Sequence, residues 1–265
     1  MENYLEINKN SWNAKVELHL QSEFYFVEEF LKGRTSLNSI ELDILGDISG
    51  KKILHLQCHF GQDSISLSRM GAEVTGIDLS DKAIDEAKKL AEKCGTNTQF
   101  IYSDVYNLPN FLNEKFDIVF TSYGTIGWLP DMDKWAEVIS HFLQPNGKFI
   151  MAEFHPVVWM FDDDFKEIGY NYFNDGAIVE TFEGTYADRK ADLKQEYVNW
   201  NHGLAEVLQA LLNNNLNLKT FKEFDYSPYA CFKNVEEFEK GKFRIPHLGN
   251  KIPMVYALEA IKNPN

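Results

Sequence analysis

Positive charge is what this chain has least of. Its 265 residues include 26 Lys and Arg against 40 Asp and Glu, a formal charge of −14. The arginines are Arg34, Arg69, Arg189 and Arg244. Phosphate neutralisation supplies most of a nucleic-acid modifier's affinity, so RNA and DNA are poor substrates to expect. Cysteine is sparse too. Cys58, Cys94 and Cys231 are scattered and odd in number, which suits a reducing compartment and not a disulfide framework. No apolar run reaches the roughly 18 residues of a membrane-spanning helix. The start, MENYLEINKN, lacks the basic and then apolar order of an export signal. His55, Cys58 and His59 flank one strand end and its turn, and no second cluster completes four ligands, so no metal is expected. These absences point to a cytoplasmic protein with no membrane partner. There is no internal repeat, and the length is enough to bury one ample core.

What is present is concentrated in Lys52–Ser80, KILHLQCHFGQDSISLSRMGAEVTGIDLS. KILHLQ is apolar and β-prone, CHFGQDS is turn-like, SISLSRM continues as a helix that Gly71 stops, and EVTGID is a second strand ending at Asp78. A βαβ unit of this kind binds an adenosine-containing cofactor at the C-terminal edge of its strands, and the acid at the second strand's tip accepts hydrogen bonds from a ribose diol. A dinucleotide would need G-x-G-x-x-G, because its pyrophosphate must approach bare backbone. The turn here is Gln57-Cys58-His59-Phe60-Gly61, with only the last glycine in place.

The run LHLQCHFGQD resembles motif I of the class I S-adenosylmethionine-dependent methyltransferases, usually written hydrophobic-L-D-hydrophobic-G-x-G-x-G. Aligned on Gly61, His55 takes the Asp position, Gln57 that of the first Gly and His59 that of the second. A methionine moiety carries no pyrophosphate, so such a loop tolerates side chains better than a dinucleotide loop does. The resemblance continues in order. Asp81–Lys93 has a helical period with Ser80 or Asp81 as its cap, TQFIYSD is a third strand, Lys115–Thr121 matches the fourth, and Pro145-Asn146-Gly147 resembles the LxPGG corner before the fifth, which ends at Phe154.

The implied fold is α/β: a doubly wound, seven-stranded, mostly parallel Rossmann-like sheet with an N-terminal helical lid and an insertion after strand five. The expected segments are 1–50 (lid), 51–154 (cofactor-binding core), 155–202 (substrate cover) and 203–265 (the last helix and antiparallel strands). The implied cofactor is S-adenosylmethionine. Its expected contacts are Gln57, Gly61, Asp78 with Leu79, Asp104 on the adenine amino group, Val105 beside the ring, Ser122 and Tyr25. The implied reaction is in-line methyl transfer to a small molecule by a monomer or homodimer. His155, in Glu153-Phe154-His155-Pro156 at the ligand edge of the sheet, and Tyr123 are the candidate catalytic groups; His155 can take a proton from a nucleophile or simply bond a loop carbonyl. Trp12, Trp128 and His202 are candidate substrate contacts, with helix capping as the alternative for His202. A second reading is a non-catalytic S-adenosylmethionine-binding module. A third, an NAD-dependent oxidoreductase, is disfavoured by the missing pyrophosphate loop.

Overall fold

The computed structural model describes residues 3–264; the expected segment limits at 1 and 265 lie outside the described residues. The chain opens with α1 (Tyr4–Gln21), a short 3-10 turn at Glu23–Tyr25, α2 (Val27–Leu31) and α3 (Ser39–Leu45). The sequence reads as one helical stretch over Leu5–Leu31, but it breaks at Ser22. The Ser22 hydroxyl donates to the His19 carbonyl (2.8 Å) and its backbone is extended. Phe26 then adopts a left-handed conformation (φ 46°), which turns α2 away from α1. At α3, Asn38 and Glu41 form a capping box, with the Asn38 N–H donating to Glu41 (2.6 Å).

The core alternates strand and helix: β1 (Lys52–Leu56), α4 (Gln62–Arg69), β2 (Glu73–Asp78), α5 (Asp81–Cys94), β3 (Gln99–Tyr102), β4 (Phe116–Ser122), α6 (Met132–Phe142) and β5 (Leu143–Phe154). Ser80 caps α5 by accepting from the Ala83 N–H (3.0 Å). An antiparallel pair follows, β6 (Ile178–Glu183) and β7 (Lys194–Asn199), then α7 (Leu204–Asn213), β8 (Leu216–Phe224), the small hairpin β9 (Glu236–Glu239) and β10 (Lys242–Arg244), and β11 (Val255–Lys262).

The main sheet has the order β3-β2-β1-β4-β5-β11-β8. Its first five strands are parallel, and β11 runs antiparallel to both β5 and β8. Strands of a parallel sheet are buried on both faces and read as apolar runs. In β1 the faces separate cleanly: Leu54 and Leu56 pack with Trp135, Phe149 and Tyr256 on the α6/α7 side, while Ile53 packs with Leu45, Leu67 and Phe120 on the α3/α4 side. Strand order reverses between β1 and β4, and a ligand crevice opens at the carboxyl ends of strands at such a point. No described helix is long and apolar enough to cross a membrane.

The segment after β5 folds back over that crevice. Asn8 of α1 clasps β7 with both ends of its side-chain amide, donating to the Val198 carbonyl (2.8 Å) and accepting from its N–H (2.9 Å). The Trp200 N–H donates to the Gly127 carbonyl in the loop after β4 (2.8 Å). The insertion is therefore tied to both α1 and the sheet edge.

Candidate active site

A cavity of about 1580 Å³ lies between the carboxyl ends of β1–β5 and the cover formed by α1, the β6–β7 segment and the loop before β9. Its sheet-side wall begins with the turn after β1. Gly61 has φ 83°, and a Cβ there would sit 2.6 Å from the Phe100 ring, so this position accepts only glycine without rearrangement. Gln57 (φ 55°) and His59 (φ 50°) are also left-handed. They hold a conformation that glycine takes freely, at a cost of roughly 1–2 kcal/mol each. The turn holds that shape because the His59 N–H donates to Asp78 Oδ2 (2.8 Å) and the Ser80 N–H to Asp78 Oδ1 (2.8 Å). Burial nevertheless pushes the Asp78 carboxyl up to about 6, against the lowering effect of these amides. The Gln57 amide nitrogen donates to the Thr125 carbonyl (2.8 Å), while its buried Oε1 has no partner.

The loop leaving β4 is held from below by a residue the sequence did not single out. Buried Glu153 accepts from the Thr125 N–H (2.7 Å), the Thr125 hydroxyl (2.9 Å) and the Gly124 N–H. Tyr123 in that loop is left-handed (φ 40°), and its hydroxyl donates to Glu41 Oε2 (2.7 Å). Glu41 is fully enclosed, and burial raises its carboxyl to about 7. The Ser122 hydroxyl donates to Asp63 Oδ2 (2.9 Å). At the position where the motif has an acid, His55 packs beneath the turn with Nδ1 2.7 Å from the Ser64 hydroxyl. Burial lowers its pKa to about 4, so a neutral imidazole stands there.

The cover wall is aromatic. Trp12 and Trp128 meet edge to face with centroids 5.2 Å apart, and Trp128 meets Tyr197 of β7 at 5.6 Å. The hydroxyl groups of Tyr25 and Tyr186 hydrogen-bond each other. His19 and His59 pair through Nδ1 and Nε2 (3.0 Å), and their outer nitrogens have no partner. Burial holds both imidazoles neutral, His19 at about 3.

Similarity to known proteins follows the same architecture. A methyltransferase-domain family model matches residues 53–147, which run from β1 into β5. The uncharacterized methyltransferase YbaJ of Bacillus subtilis (strain 168) is 27% identical over 171 residues, 61% of this chain and 67% of that protein. The ubiquinone biosynthesis O-methyltransferase of Coxiella burnetii is 30% identical over 105 residues, 40% of this chain and 44% of that one. Among solved structures, geranyl diphosphate C-methyltransferase from Streptomyces coelicolor A3(2) superposes with a TM-score of 0.63 at 15% identity, covering 98% of each chain. An S-adenosylmethionine-dependent methyltransferase from Mesorhizobium loti gives 0.57 at 18% identity, covering 88% of this chain and all (100%) of that one. Residues 53–147 match a methyltransferase domain, and the chain shares the fold of S-adenosylmethionine-dependent methyltransferases. The domain match carries the enzyme class, a methyltransferase; S-adenosylmethionine is the cofactor used by the enzymes that share its fold.

The residues of this methyltransferase fit that cofactor. A half-buried carboxylate at the tip of β2, a turn with three left-handed positions in five residues (57, 59 and 61) and an orphaned amide oxygen on Gln57 all line one cavity. Gln57, Gly61, Asp78, Leu79, Asp104, Val105, Ser122, Tyr25, Tyr123, Trp12, Trp128 and His202 all border it. His155 does not, and the expectation of a base there is corrected. Its N–H pairs with the Met254 carbonyl (2.9 Å), which extends the β5–β11 ladder by one residue. The ring consequently turns across the sheet to Glu223 of β8 (2.9 Å), and its Nδ1 accepts from the Val157 N–H (3.2 Å). His202 reaches the cavity wall, but its ring is committed to protein: Nε2 lies 2.8 Å from the Leu129 carbonyl and Nδ1 3.1 Å from the Glu206 carboxylate. Lys15, Glu41 and Glu153 were missed. A lysine on a helix and acids near element ends look like solvated residues, and nothing in their spacing says otherwise.

Proposed function

We propose that this methyltransferase acts on a small organic acceptor held beneath the insertion. The observation that carries the reading is the shared cavity: its sheet wall and its aromatic cover enclose one space, larger than the roughly 300–1,000 Å³ of an ordinary ligand pocket. That leaves room for an acceptor beside the cofactor. When bound, the cofactor supplies a sulfonium methyl open to in-line displacement. Asp78 receives the ribose diol, Leu79 and Val105 flank the adenine, Asp104 takes its amino group, and Gln57 Oε1 accepts from the methionine amino group. Trp12 and Trp128 press on the acceptor's flat side and keep water out, and holding nucleophile and methyl in line contributes several kcal/mol.

Tyr123 and Glu41 replace His155 as the route for a proton. Tyr123 donates its own proton to Glu41 Oε2, so its oxygen has a lone pair for the acceptor's hydroxyl or amine. A proton arriving at Tyr123 Oη can be matched by transfer of the tyrosine proton to Glu41, whose carboxyl near 7 suits a base working at neutral pH.

The test incubates the full chain with methyl-labelled S-adenosylmethionine and a fractionated cell extract. Label is expected in the fraction below about 1 kDa. Label in protein or RNA would overturn the small-acceptor reading. Tight binding of S-adenosylhomocysteine with no transfer to any fraction would favour a non-catalytic binding module.

A further inference from the structure

Lys15 is the odd group in the cavity. It lies on α1, is only 6% exposed, and borders the cavity. Its ammonium stands over three rings from three parts of the chain: Trp12 at 4.6 Å, Trp128 at 5.4 Å and Tyr197 at 5.8 Å from the centroids. Ring faces attract a cation but do not neutralise it. No acid among the described residues offsets its burial: desolvation lowers its pKa to about 8, so it stays mainly charged at neutral pH. The polar tips of the surrounding rings are spent elsewhere. Trp128 Nε1 donates to the Gly124 carbonyl (2.8 Å), and the Tyr197 hydroxyl to Glu180 (2.8 Å). Across from it, in the turn after β1, His59 Nδ1 is buried without a partner. When His19 Nδ1–H donates to His59 Nε2, His59 Nδ1 carries a proton and becomes a second donor.

A buried, uncompensated cation is costly unless something in the functional complex pairs with it. We propose that Lys15 is the counter-cation of the acceptor, and that the acceptor is an aromatic or similarly flat monoanion: a carboxylate placed at Lys15 Nζ, with the ring against Trp12 and Trp128. One ammonium matches one negative charge, which favours a carboxylate over a phosphate dianion. The three rings around the ammonium meet edge to face and form an apolar wall, which suits a ring better than the amino-acid chain of the cofactor. The inference rests on the methyltransferase reading above and adds the acceptor's class to it. It also accounts for how a chain of charge −14 can hold an anion, because the charge is met locally and out of solvent.

The test uses the full chain saturated with S-adenosylhomocysteine and titrates it by calorimetry and tryptophan fluorescence with matched probes: benzoate, benzamide and phenyl phosphate. Benzoate is expected to bind at least about tenfold tighter than benzamide, and tighter than phenyl phosphate. Lys15→Met should bring the benzoate-to-benzamide ratio near one, Lys15→Arg should keep part of it, and both variants should hold S-adenosylhomocysteine within about threefold of wild type. Equal binding of benzoate and benzamide to the wild type would overturn the proposal. So would a Lys15→Met variant that loses S-adenosylhomocysteine but keeps methylthioadenosine, since Lys15 would then serve the cofactor's own carboxylate. Phenyl phosphate binding tightest would overturn the carboxylate assignment. Failure of the wild type to bind S-adenosylhomocysteine would instead sink the cofactor reading, and the same probe pairs on the cofactor-free chain would still decide the role of Lys15.

Discussion

The two walls of the cavity handle most of their polar groups in opposite ways, Gln57 Oε1 and His59 Nδ1 being the unpaired exceptions on the sheet side. On the sheet wall Asp78 accepts two backbone amides, Glu153 holds the loop after β4, and Ser122 is tied to Asp63. On the cover wall Lys15 has no acid beside it among the described residues, and His19, paired with His59 of the facing turn, keeps one ring nitrogen without a partner. A wall whose polar groups bond one another keeps its shape without a ligand and presents fixed contacts to a molecule of fixed form. A wall with buried unpaired groups is incomplete by itself and gains most from the molecule that completes it. On the proposed reading, the constant partner, the cofactor, lies on the sheet and the variable partner, the acceptor, under the cover.

The strongest break in that comparison is removal of the cover. Replacing residues 156–199 by a short glycine-rich turn should lower turnover on the order of a thousandfold or more, since positioning and water exclusion are lost together. Binding of S-adenosylhomocysteine by calorimetry should stay within a few-fold. A parallel loss of cofactor affinity would erase the division between the walls.

The next effect falls on the sheet wall. Asp78→Ala should weaken S-adenosylhomocysteine binding by about tenfold to a hundredfold, because charge-assisted hydrogen bonds are each worth roughly 1.5–3 kcal/mol, with the thermal transition still cooperative. In the wild type, burial holds the Asp78 carboxyl up to about 6. If its ionised form accepts from the ribose, as proposed, affinity should fall as pH drops through that value, and Asp78→Asn should remove the dependence. Unchanged affinity in Asp78→Ala would end the ribose assignment.

Lys15 sharpens the comparison through stability. Its folded pKa of about 8 lies below the ordinary lysine value of 10.5. The folded state therefore binds this proton less well than the unfolded chain, and the penalty is full below about 8 and fades as pH rises towards 10.5. Lys15→Met should raise unfolding free energy near pH 7 by on the order of 2–3 kcal/mol in denaturant titrations, with the gap closing near pH 10. A less stable variant would mean that the ammonium has a partner in the protein.

The smallest effect belongs to Gln57. Its unpaired Oε1 should accept from the methionine amino group, so Gln57→Ala should weaken S-adenosylhomocysteine by about fivefold, near 1 kcal/mol, and leave adenosine nearly unchanged. Equal weakening of both ligands would make Gln57 a residue of the turn and not of the site.

Much of the sheet wall was legible before any coordinates. Its strands are short apolar runs, its turn carries Gly61 at the one position a side chain cannot enter, and Asp78 follows β2 directly; these are local signals. The break of α1 at Ser22 was not legible, because a serine after an apolar period also fits a helix, and only its bond to the His19 carbonyl reveals the stop. His155 was misplaced because proximity to the ligand edge does not say which way a ring turns. One extra ladder bond to Met254 sends it to Glu223. Lys15 was passed over because lysine on a helix normally faces water, and what buries it comes from Trp128 and Tyr197, far away in the chain.

By itself, then, the sequence determined the doubly wound sheet, the cofactor turn and the presence of an aromatic-rich insertion, since periodicity, turn chemistry and composition act over a few residues. Only the tertiary structure decided that α1 and the insertion close over the same strand ends. The clasp between Asn8 and Val198 joins residues 190 positions apart, and burial of Lys15 is a property of the space they enclose together. No single segment carries that information, because the desolvation of a charge depends on every surface brought around it.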